Sequence, residues 1–444
     1  MKQITLTLIL SAILFFLLNY YFSVQHSILL CIIFFLVVLW SNEGLPLGVV
    51  SLLPILLFPT FDILTTNETV SNYSKSIIFL FLGGFMIAIA TQKIELHKYI
   101  SNKLLRLFPN TPRGIMFSLA ITSAFLSSLI SNTTTALLLI PIAIYLSDEI
   151  KLRLRFVLSI AYGASIGGIV TPIGTPPNLI LLGFMEQHHL ETIPFIKWIF
   201  LTAPLALAML IVIPYILSLG VKDLEIDSSL KELKPLSDEQ KRLLYILLSL
   251  VVLLFVNSKI EPYYMGLGLN EKGILLGYGL LMFLPKIGFL TWDDTKKIPY
   301  EIIFLFGAGF SIAMAFSKTG LADVIANQLL SLTDLPVILL IILVASLVTF
   351  TTEITSNTAL ISVVLPILYS LGNAGNIDLS LILFVATICA SYAFMLPIAT
   401  PPNAIAMSSG AVKVKDMAKY GLMFNILGIV LITIIAILYW QFYL

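Results

Sequence analysis

The chain has 444 residues, 59% of them apolar and only 11% charged, with a net charge of +1. Soluble domains carry roughly 25% charged residues, and a mean hydropathy of +1.02 leaves too little polar surface to cover a core. That excludes nucleic-acid binders, secreted disulfide scaffolds and soluble enzymes, and leaves an all-α polytopic membrane protein.

The chain opens with Lys2 and an apolar run from Ile4 to Phe22. No small-x-small cleavage site follows, so residues 1–26 read as a retained first span. Ten more apolar stretches could cross about 30 Å of hydrocarbon. They fall near 27–41, 45–60, 76–92, 156–184, 198–219, 242–256, 273–290, 300–316, 379–410 and 420–443, which makes eleven transmembrane helices. Cys31 and Cys389 lie within such stretches as packing residues. The stretches 93–107 and 318–332 follow corresponding spans. The first sets Ile94, Leu96, Ile100, Leu104 and Leu107 among basic residues, the pattern of an interfacial helix.

Two apolar segments, 114–147 and 335–371, behave differently. The first has no charged residue and basic flanks on both sides, from Lys93 to Arg113 and from Lys151 to Arg155. The positive-inside rule puts both flanks in the cytoplasm, so the segment enters and leaves on one side. Its middle, Ser127 to Thr135, gathers hydroxyls and an amide where a helix would break. Two short complete spans would satisfy the rule equally well. The second segment has Lys318 against Asp323, Asp334 and Asp378 in its flanks, which reads as outside. One re-entrant hairpin thus enters from the inside and one from the outside.

An internal repeat supports this reading. Ser131-Asn132-Thr133 recurs as Ser356-Asn357-Thr358, and Gly174-Thr175-Pro176-Pro177-Asn178 as Ala399-Thr400-Pro401-Pro402-Asn403, both at an offset of 225. Gly84-Phe85 matches Gly309-Phe310 and Lys93 matches Lys318 at the same offset. Equivalent points are separated by an odd number of spans, so the repeat is inverted, as in many secondary transporters. The halves are 27–219 and 242–444, joined by a cytoplasmic linker at 220–241 with mixed charges and Pro235. With the N-terminus inside, 20 of the 25 Lys and Arg are cytoplasmic and five are outside, and the C-terminus lies outside.

Each Ser-Asn-Thr stands where one hairpin arm ends and the next begins, followed by apolar helix formers. Ser, Thr and Asn are good N-caps, and a half-helix N-terminus offers free N–H groups to a carboxylate. Two such tips meeting at midplane suit a small dianion. Cap bonds and helix–helix hydrogen bonds are the plainer account, but they do not explain two inverted copies with matching partners. Tandem prolines in the Thr-Pro-Pro-Asn motifs force the preceding backbone out of the helix. Carbonyls exposed in this way are tolerated at membrane depth only beside protein, water or an ion, and they are hard ligands fit for Na⁺. A structural kink would not by itself stand 44 residues after Ser-Asn-Thr in both halves.

Glu353 is an intramembrane carboxylate that either coordinates a cation or protonates, or equally is satisfied by neighbouring hydroxyls and amides. Its counterpart at offset 225 is Ser128, so it lies outside the symmetric set. The histidines (His26, His97, His188 and His189) fall near span ends. The His188-His189 pair reads as an exterior loop rather than a metal site.

These paired motifs and the eleven-span count resemble the divalent anion sodium symporter family, the INDY-type dicarboxylate transporters, over essentially the whole chain. The resemblance implies a homodimer in the cell membrane, with a scaffold and an elevator-like transport domain. It implies one Na⁺ site from Ser127, Ser131, Asn132 and the Gly174 carbonyl. It implies a second from Thr352, Thr355, Asn357 and the Ala399 carbonyl. Substrate carboxylates would meet Asn132-Thr133 and Asn357-Thr358, with Thr400 and Pro401 lining the pocket. The function implied is Na⁺-coupled symport of succinate, malate or fumarate. A sodium-independent di- or tricarboxylate exchanger is the alternative. An intramembrane enzyme is disfavoured, since His-Glu-x-x-His, Gly-x-Ser-x-Gly and paired intramembrane Asp are all missing from the sequence. A channel would show acidic rings or a carbonyl filter. Two separated tips favour two separated carboxylates over sulfate.

Overall fold

The computed structural model describes residues 2–42, 45–221, 235–259, 263–375 and 377–444. Most of the expected linker, 222–234, lies outside the described residues. The first half contains α1 (Lys2–Leu18), α2 (Val24–Asn42), α3 (Leu47–Thr60), α4 (Thr66–Ser71), α5 (Ser76–Lys93) and α6 (Leu96–Leu104). It continues with α7 (Pro112–Ser127), α8 (Asn132–Tyr145), α9 (Ile150–Gly168), α10 (Pro176–Gln187) and α11 (Phe195–Ser218). The second half contains α12 (Asp238–Asn257), α13 (Glu271–Leu281), a short helical turn at Trp292–Lys297, α14 (Tyr300–Thr319) and α15 (Leu321–Leu329). It ends with α16 (Val337–Thr352), α17 (Asn357–Gly375), α18 (Leu379–Ala390), α19 (Pro401–Ser408) and α20 (Val414–Ile435). Among the described residues, five helices are long and apolar enough to cross a membrane: Thr66–Lys93, Phe195–Ser218, Tyr300–Thr319, Asn357–Gly375 and Val414–Tyr443.

Local sequence accounts for the interruptions. Thr111 caps α7 by accepting from the Gly114 N–H at 3.1 Å, with Pro112 at the first helical position. The helix ends at Ser127, the chain turns through 128–131, and the Ser131 hydroxyl accepts from Thr134 N at 3.2 Å to open α8. The stretches 156–184 and 379–410, expected as single spans, are each broken at the tandem prolines, giving α9/α10 and α18/α19. One expectation needs correction. The stretch 273–290 is helical only over Glu271–Leu281. Beyond it Pro285 and Lys286 (φ 68°) turn the chain, and the N–H groups of Phe289 and Leu290 both return to the Met282 carbonyl.

The repeat is visible in the backbone. A left-handed residue joins each long helix to its short amphipathic successor: Glu95 (φ 57°) between α5 and α6, and Gly320 (φ 73°) between α14 and α15, again 225 apart. The α7–α8 and α16–α17 helix pairs pack on the broken helices of their own halves, α7 and α8 on α9, and α16 and α17 on α18. Their shared core includes Tyr162, Phe184, Trp198, Phe384 and Trp440. Against this body lie α13 on α5 and α14 on α3, with a smaller core around Leu36, Phe58 and Phe316.

Candidate functional site

The two tips carry the same internal bond. In the first, the buried Ser127 hydroxyl donates to Asn132 Oδ1. In the second, the buried Thr352 hydroxyl donates to Asn357 Oδ1 at 2.5 Å and to the Ala390 carbonyl at 3.0 Å. Ser127 and Thr352 are 225 residues apart, as are the two asparagines. Each bond closes the turn and fixes the amide at the first residue of α8 or α17. The N–H groups that open each helix precede its first internal hydrogen bond and point outward.

The broken spans are tied by their motif asparagines. Asn178 Nδ2 donates to the carbonyls of Gly168 at 3.1 Å and Thr171 at 2.9 Å. Asn403 Nδ2 donates to Ala393 at 2.9 Å and Leu396 at 3.1 Å, the same positions plus 225. The turns that present Gly174 and Ala399 also agree: Gly174 N–H donates to Thr171 O and Ala399 N–H to Leu396 O, each at 3.2 Å. Both asparagines are fully buried, and their Oδ1 atoms have no hydrogen-bond partner among the described residues.

Tip and break meet in the first half. A Cβ on Gly168 would lie 3.0 Å from Asn132 Oδ1, so the amide packs tightly on the bare glycine at the end of α9. Gly174 packs on Gly168 in turn, and Ser131 and Gly174 line one cavity of ≈ 60 Å³ with Leu129, Ile130 and Pro176. The structure therefore gathers Ser127, Ser131, Asn132 and Gly174. Across it stand Phe81, Gly84 and Phe85 of α5 and Phe306 of α14. In the second half Thr352 and Asn357 are joined. The Thr355 hydroxyl donates back to Thr351 O at 2.8 Å, and Ala399 is buried in the turn after α18. No described hydrogen bond links Ala399 to that tip.

The halves also cross. Helix α8 packs on α19, and α17 packs on α10. Asn132 and Thr133 thus open a helix that lies against the one begun by Thr400 and Pro401. Thr358 and Thr400 are buried, Thr133 and Asn357 half-buried and Pro401 exposed. Thr400 caps α19 by accepting from Asn403 N at 3.4 Å.

Glu353 follows Thr352 directly, is 3% exposed, and accepts four hydrogen bonds. Donors are the N–H groups of Phe394 (2.8 Å), Met395 (2.9 Å) and Leu396 (2.9 Å), and Asn425 Nδ2 of α20 (2.7 Å). All four bonds go to the protein's own second break and to α20, so the carboxylate braces that break. Of the two sequence readings of Glu353, the structure shows the one in which amides satisfy it; the bracing by Asn178, Asn403 and Asn425 was missed. The repeated Asn at the end of each Thr-Pro-Pro-Asn was the available signal. His188 and His189 lie in the turn after α10, where the His188 ring sits 4.3 Å from both the Phe184 and Tyr369 rings.

A family described as citrate transporter (CitMHS) matches residues 35–389. A sodium-dependent dicarboxylate transporter, SdcS, of Staphylococcus saprophyticus is 32% identical over 430 residues, covering 89% of this chain and 82% of the relative. The protein of the same name from Staphylococcus aureus is 32% identical over 429 residues with the same coverage. Among solved structures, the Alcanivorax borkumensis YdaH transporter superposes with a TM-score of 0.61 at 13% identity, over 84% of this chain and 87% of that one. Neisseria gonorrhoeae MtrF, from a class of antimetabolite efflux pumps, gives 0.62 at 14%, over 84% and 83%. At such identities these two speak for the fold alone, an all-helical membrane transporter.

Proposed function

The chain belongs to the citrate transporter family, as a secondary transporter rather than an enzyme, and on that premise we propose that it is a Na⁺-coupled symporter of C4-dicarboxylates such as succinate, malate and fumarate. The observation that carries this reading is the pair of tips, Ser127–Asn132 and Thr352–Asn357, built alike at an offset of 225. Each tip presents a half-helix N-terminus, favourable to one carboxylate. Beside each stand neutral hydroxyl, amide and carbonyl oxygens, which suit Na⁺.

In this reading Ser127, Ser131, Asn132 and the Gly174 carbonyl take one Na⁺; Thr352, Thr355, Asn357 and the Ala399 carbonyl take the other. Asn132, Thr133, Asn357 and Thr358 receive the two carboxylates, with Thr400 and Pro401 lining the pocket. Bound cations order the tips and offset the dianion's charge, so the loaded site can pass an apolar barrier. The two helix pairs are re-entrant hairpins within an eleven-span inverted repeat. They move with the broken spans and with α11, which packs on α7 and α9, as an elevator against α3, α5, α13 and α14. The protein is a homodimer in the cell membrane, N-terminus cytoplasmic and C-terminus outside. The named relatives are sodium-dependent dicarboxylate transporters, which favours symport.

The test is labelled succinate uptake into proteoliposomes with an inward Na⁺ gradient, with K⁺ in its place, and with succinate preloaded inside. Symport requires uptake that depends on Na⁺ and needs no preload. Uptake that needs preload and ignores Na⁺ would make the protein an exchanger. Asn132→Ala and Asn357→Ala should each abolish uptake while the purified protein stays folded and monodisperse. Normal uptake by either would refute the site.

A further inference from the structure

At one end of the molecule, three elements meet through a single polar cluster. Ser76, the first residue of α5, donates to Glu186 Oε1 at 2.7 Å and lies within 3.0 Å of Oε2. Lys272, at the start of α13, donates to Ser76 Oγ at 2.8 Å and to Glu186 Oε1 at 2.5 Å. The neighbouring Glu271 accepts from the Phe195 N–H at the start of α11, at 2.8 Å. Adjacent residues of α13 therefore grip α10 with one charge and α11 with the other. A cavity of ≈ 340 Å³, lined by Glu186, Asn257, Glu271 and Lys272 among others, adjoins the cluster.

The tips and the motif asparagines obey the repeat, and this cluster does not. At an offset of 225 Ser76, Glu186 and Lys272 correspond to Glu301, Ala411 and Leu47. That set has no cation, so it cannot form the pair. Glu271 and Phe195 correspond to Pro46 and Tyr420, which cannot repeat the second contact either. In an inverted repeat the two end states are related by the same symmetry that relates the halves. A contact present at one end and missing from its counterpart makes the two states unequal in free energy.

We propose that Ser76, Glu186, Glu271 and Lys272 form a one-sided latch, which holds the moving body against the fixed one at the exterior end and biases the resting equilibrium toward the state closed there. The proposal rests on the elevator reading above, in which α10 and α11 travel and α5 and α13 stay. It also uses the charge balance that assigns this end to the exterior. The latch must open in every cycle, so it sets how the population divides between the two states. It does not touch substrate.

Two experiments test it, in a background with Cys31 and Cys389 replaced by alanine. In the first, Leu129→Cys on the first tip is labelled by a membrane-impermeant maleimide added outside right-side-out cells. Glu186→Gln and Lys272→Met should each speed labelling by roughly fivefold, the effect of losing a half-exposed ion pair. The swap Glu186→Lys with Lys272→Glu should return the rate toward the parent. Labelling at the parent rate in both single variants would overturn the latch. In the second, Ser76→Cys with Glu186→Cys is bridged by a short bifunctional thiosulfonate. Uptake should stop and return on adding reductant, and undiminished uptake by the bridged protein would overturn the proposal. If the unbridged protein takes up no dicarboxylate, the transport reading fails, and the labelling rates still decide the latch.

Discussion

The two broken spans occupy the same place in their halves and are held by opposite chemistry. In the first, the break leaves carbonyls to be satisfied. Trp198 Nε1 donates to Ile169 O at 2.9 Å, Thr202 Oγ1 to Val170 O at 3.2 Å, and Thr171 reaches the hairpin by donating to Ser128 O at 2.7 Å. In the second, the counterparts Phe394, Met395 and Leu396 offer their N–H groups to Glu353, the counterpart of Ser128. The lengths explain the difference. Helix α9 runs to Gly168, whereas α18 stops at Ala390, three residues short of the equivalent point. The earlier stop carries Phe394, Met395 and Leu396 beyond the reach of the helix end, and a carboxylate can accept all three of their N–H groups. Repeat symmetry preserves where a break is braced, while the chemistry of the brace follows from how far the helix unwinds.

The largest expected effect comes from breaking the carboxylate brace. Glu353→Ala leaves three backbone donors and an amide unpaired in the core and should cost ~3–5 kcal/mol. Glu353→Gln, which keeps one acceptor oxygen, should cost about half of that. On the first side, Thr171→Val removes a single neutral bond and should cost ~1 kcal/mol. Thermal unfolding of the purified protein in detergent ranks the three. Equal losses on the two sides would remove the distinction.

The asparagines sharpen the comparison from the other direction, because there the halves are alike. Asn178→Ala and Asn403→Ala each lose two bonds to backbone carbonyls and should cost ~1–3 kcal/mol. The two melting temperatures should fall by similar amounts. A markedly larger loss at Asn403 would mean that the Glu353 brace and the asparagine act as one network rather than separately.

Most of this site's skeleton was legible in the sequence. The paired Ser-Asn-Thr and Thr-Pro-Pro-Asn motifs placed both tips and both breaks, because Pro and N-cap residues act on the backbone next to them. What the motifs touch was not legible. Asn178 reaches carbonyls seven and ten residues back, and Glu353 reaches 41 residues ahead. Such partners are set by how helices stack, which an offset of 225 does not reveal. The same holds for Lys93 and Lys318. The repeat marked both, but only the fold shows each bonded to an acid of the other half, Asp294 at 2.6 Å and Glu68 at 2.5 Å.

Those crossed pairs offer a smaller, pH-dependent test. Each acid sits in a capping box, Glu68 with Thr65 and Asp294 with Thr291. The Lys318 hydrogen bond, ahead of those from Thr65, lowers the Glu68 carboxyl to about 2 from its ordinary 4.5. The Lys93 hydrogen bond, with those from Thr291, likewise holds Asp294 well below the usual range. A depressed folded-state value means that the stabilisation is complete above the ordinary carboxylate value and is lost as pH falls through the depressed one. The melting temperature should therefore decline as pH drops from 4.5 toward 2, and Glu68→Gln should flatten part of that decline. At neutral pH, Asp294→Asn should lower stability more than Glu68→Gln, since the Asp294 side chain is 9% exposed against 37% for Glu68. The reverse order would show that exposure does not control these pairs.

The smallest effect separates the halves at a single backbone position. Glu95 and Gly320 hold the same left-handed turn, φ 57° and 73°, but only glycine does so without steric cost. A non-glycine residue held in this region stores ~1 kcal/mol or somewhat more. Against that, Glu95→Gly gives up an exposed, solvent-screened ion pair with Lys98. It also loosens the unfolded chain, which offsets the gain by a further ~0.5 kcal/mol. The net change should be stabilising by no more than a few tenths of a kcal/mol. Gly320→Ala has open space around its Cβ, so the strain stands alone and should cost ~1 kcal/mol. Melting temperatures that move in opposite directions, up slightly for Glu95→Gly and down for Gly320→Ala, would show that one turn is relaxed and its twin strained. If Glu95→Gly instead melts lower, the Lys98 contact outweighs the strain, and the two turns differ in their surroundings rather than in their backbone.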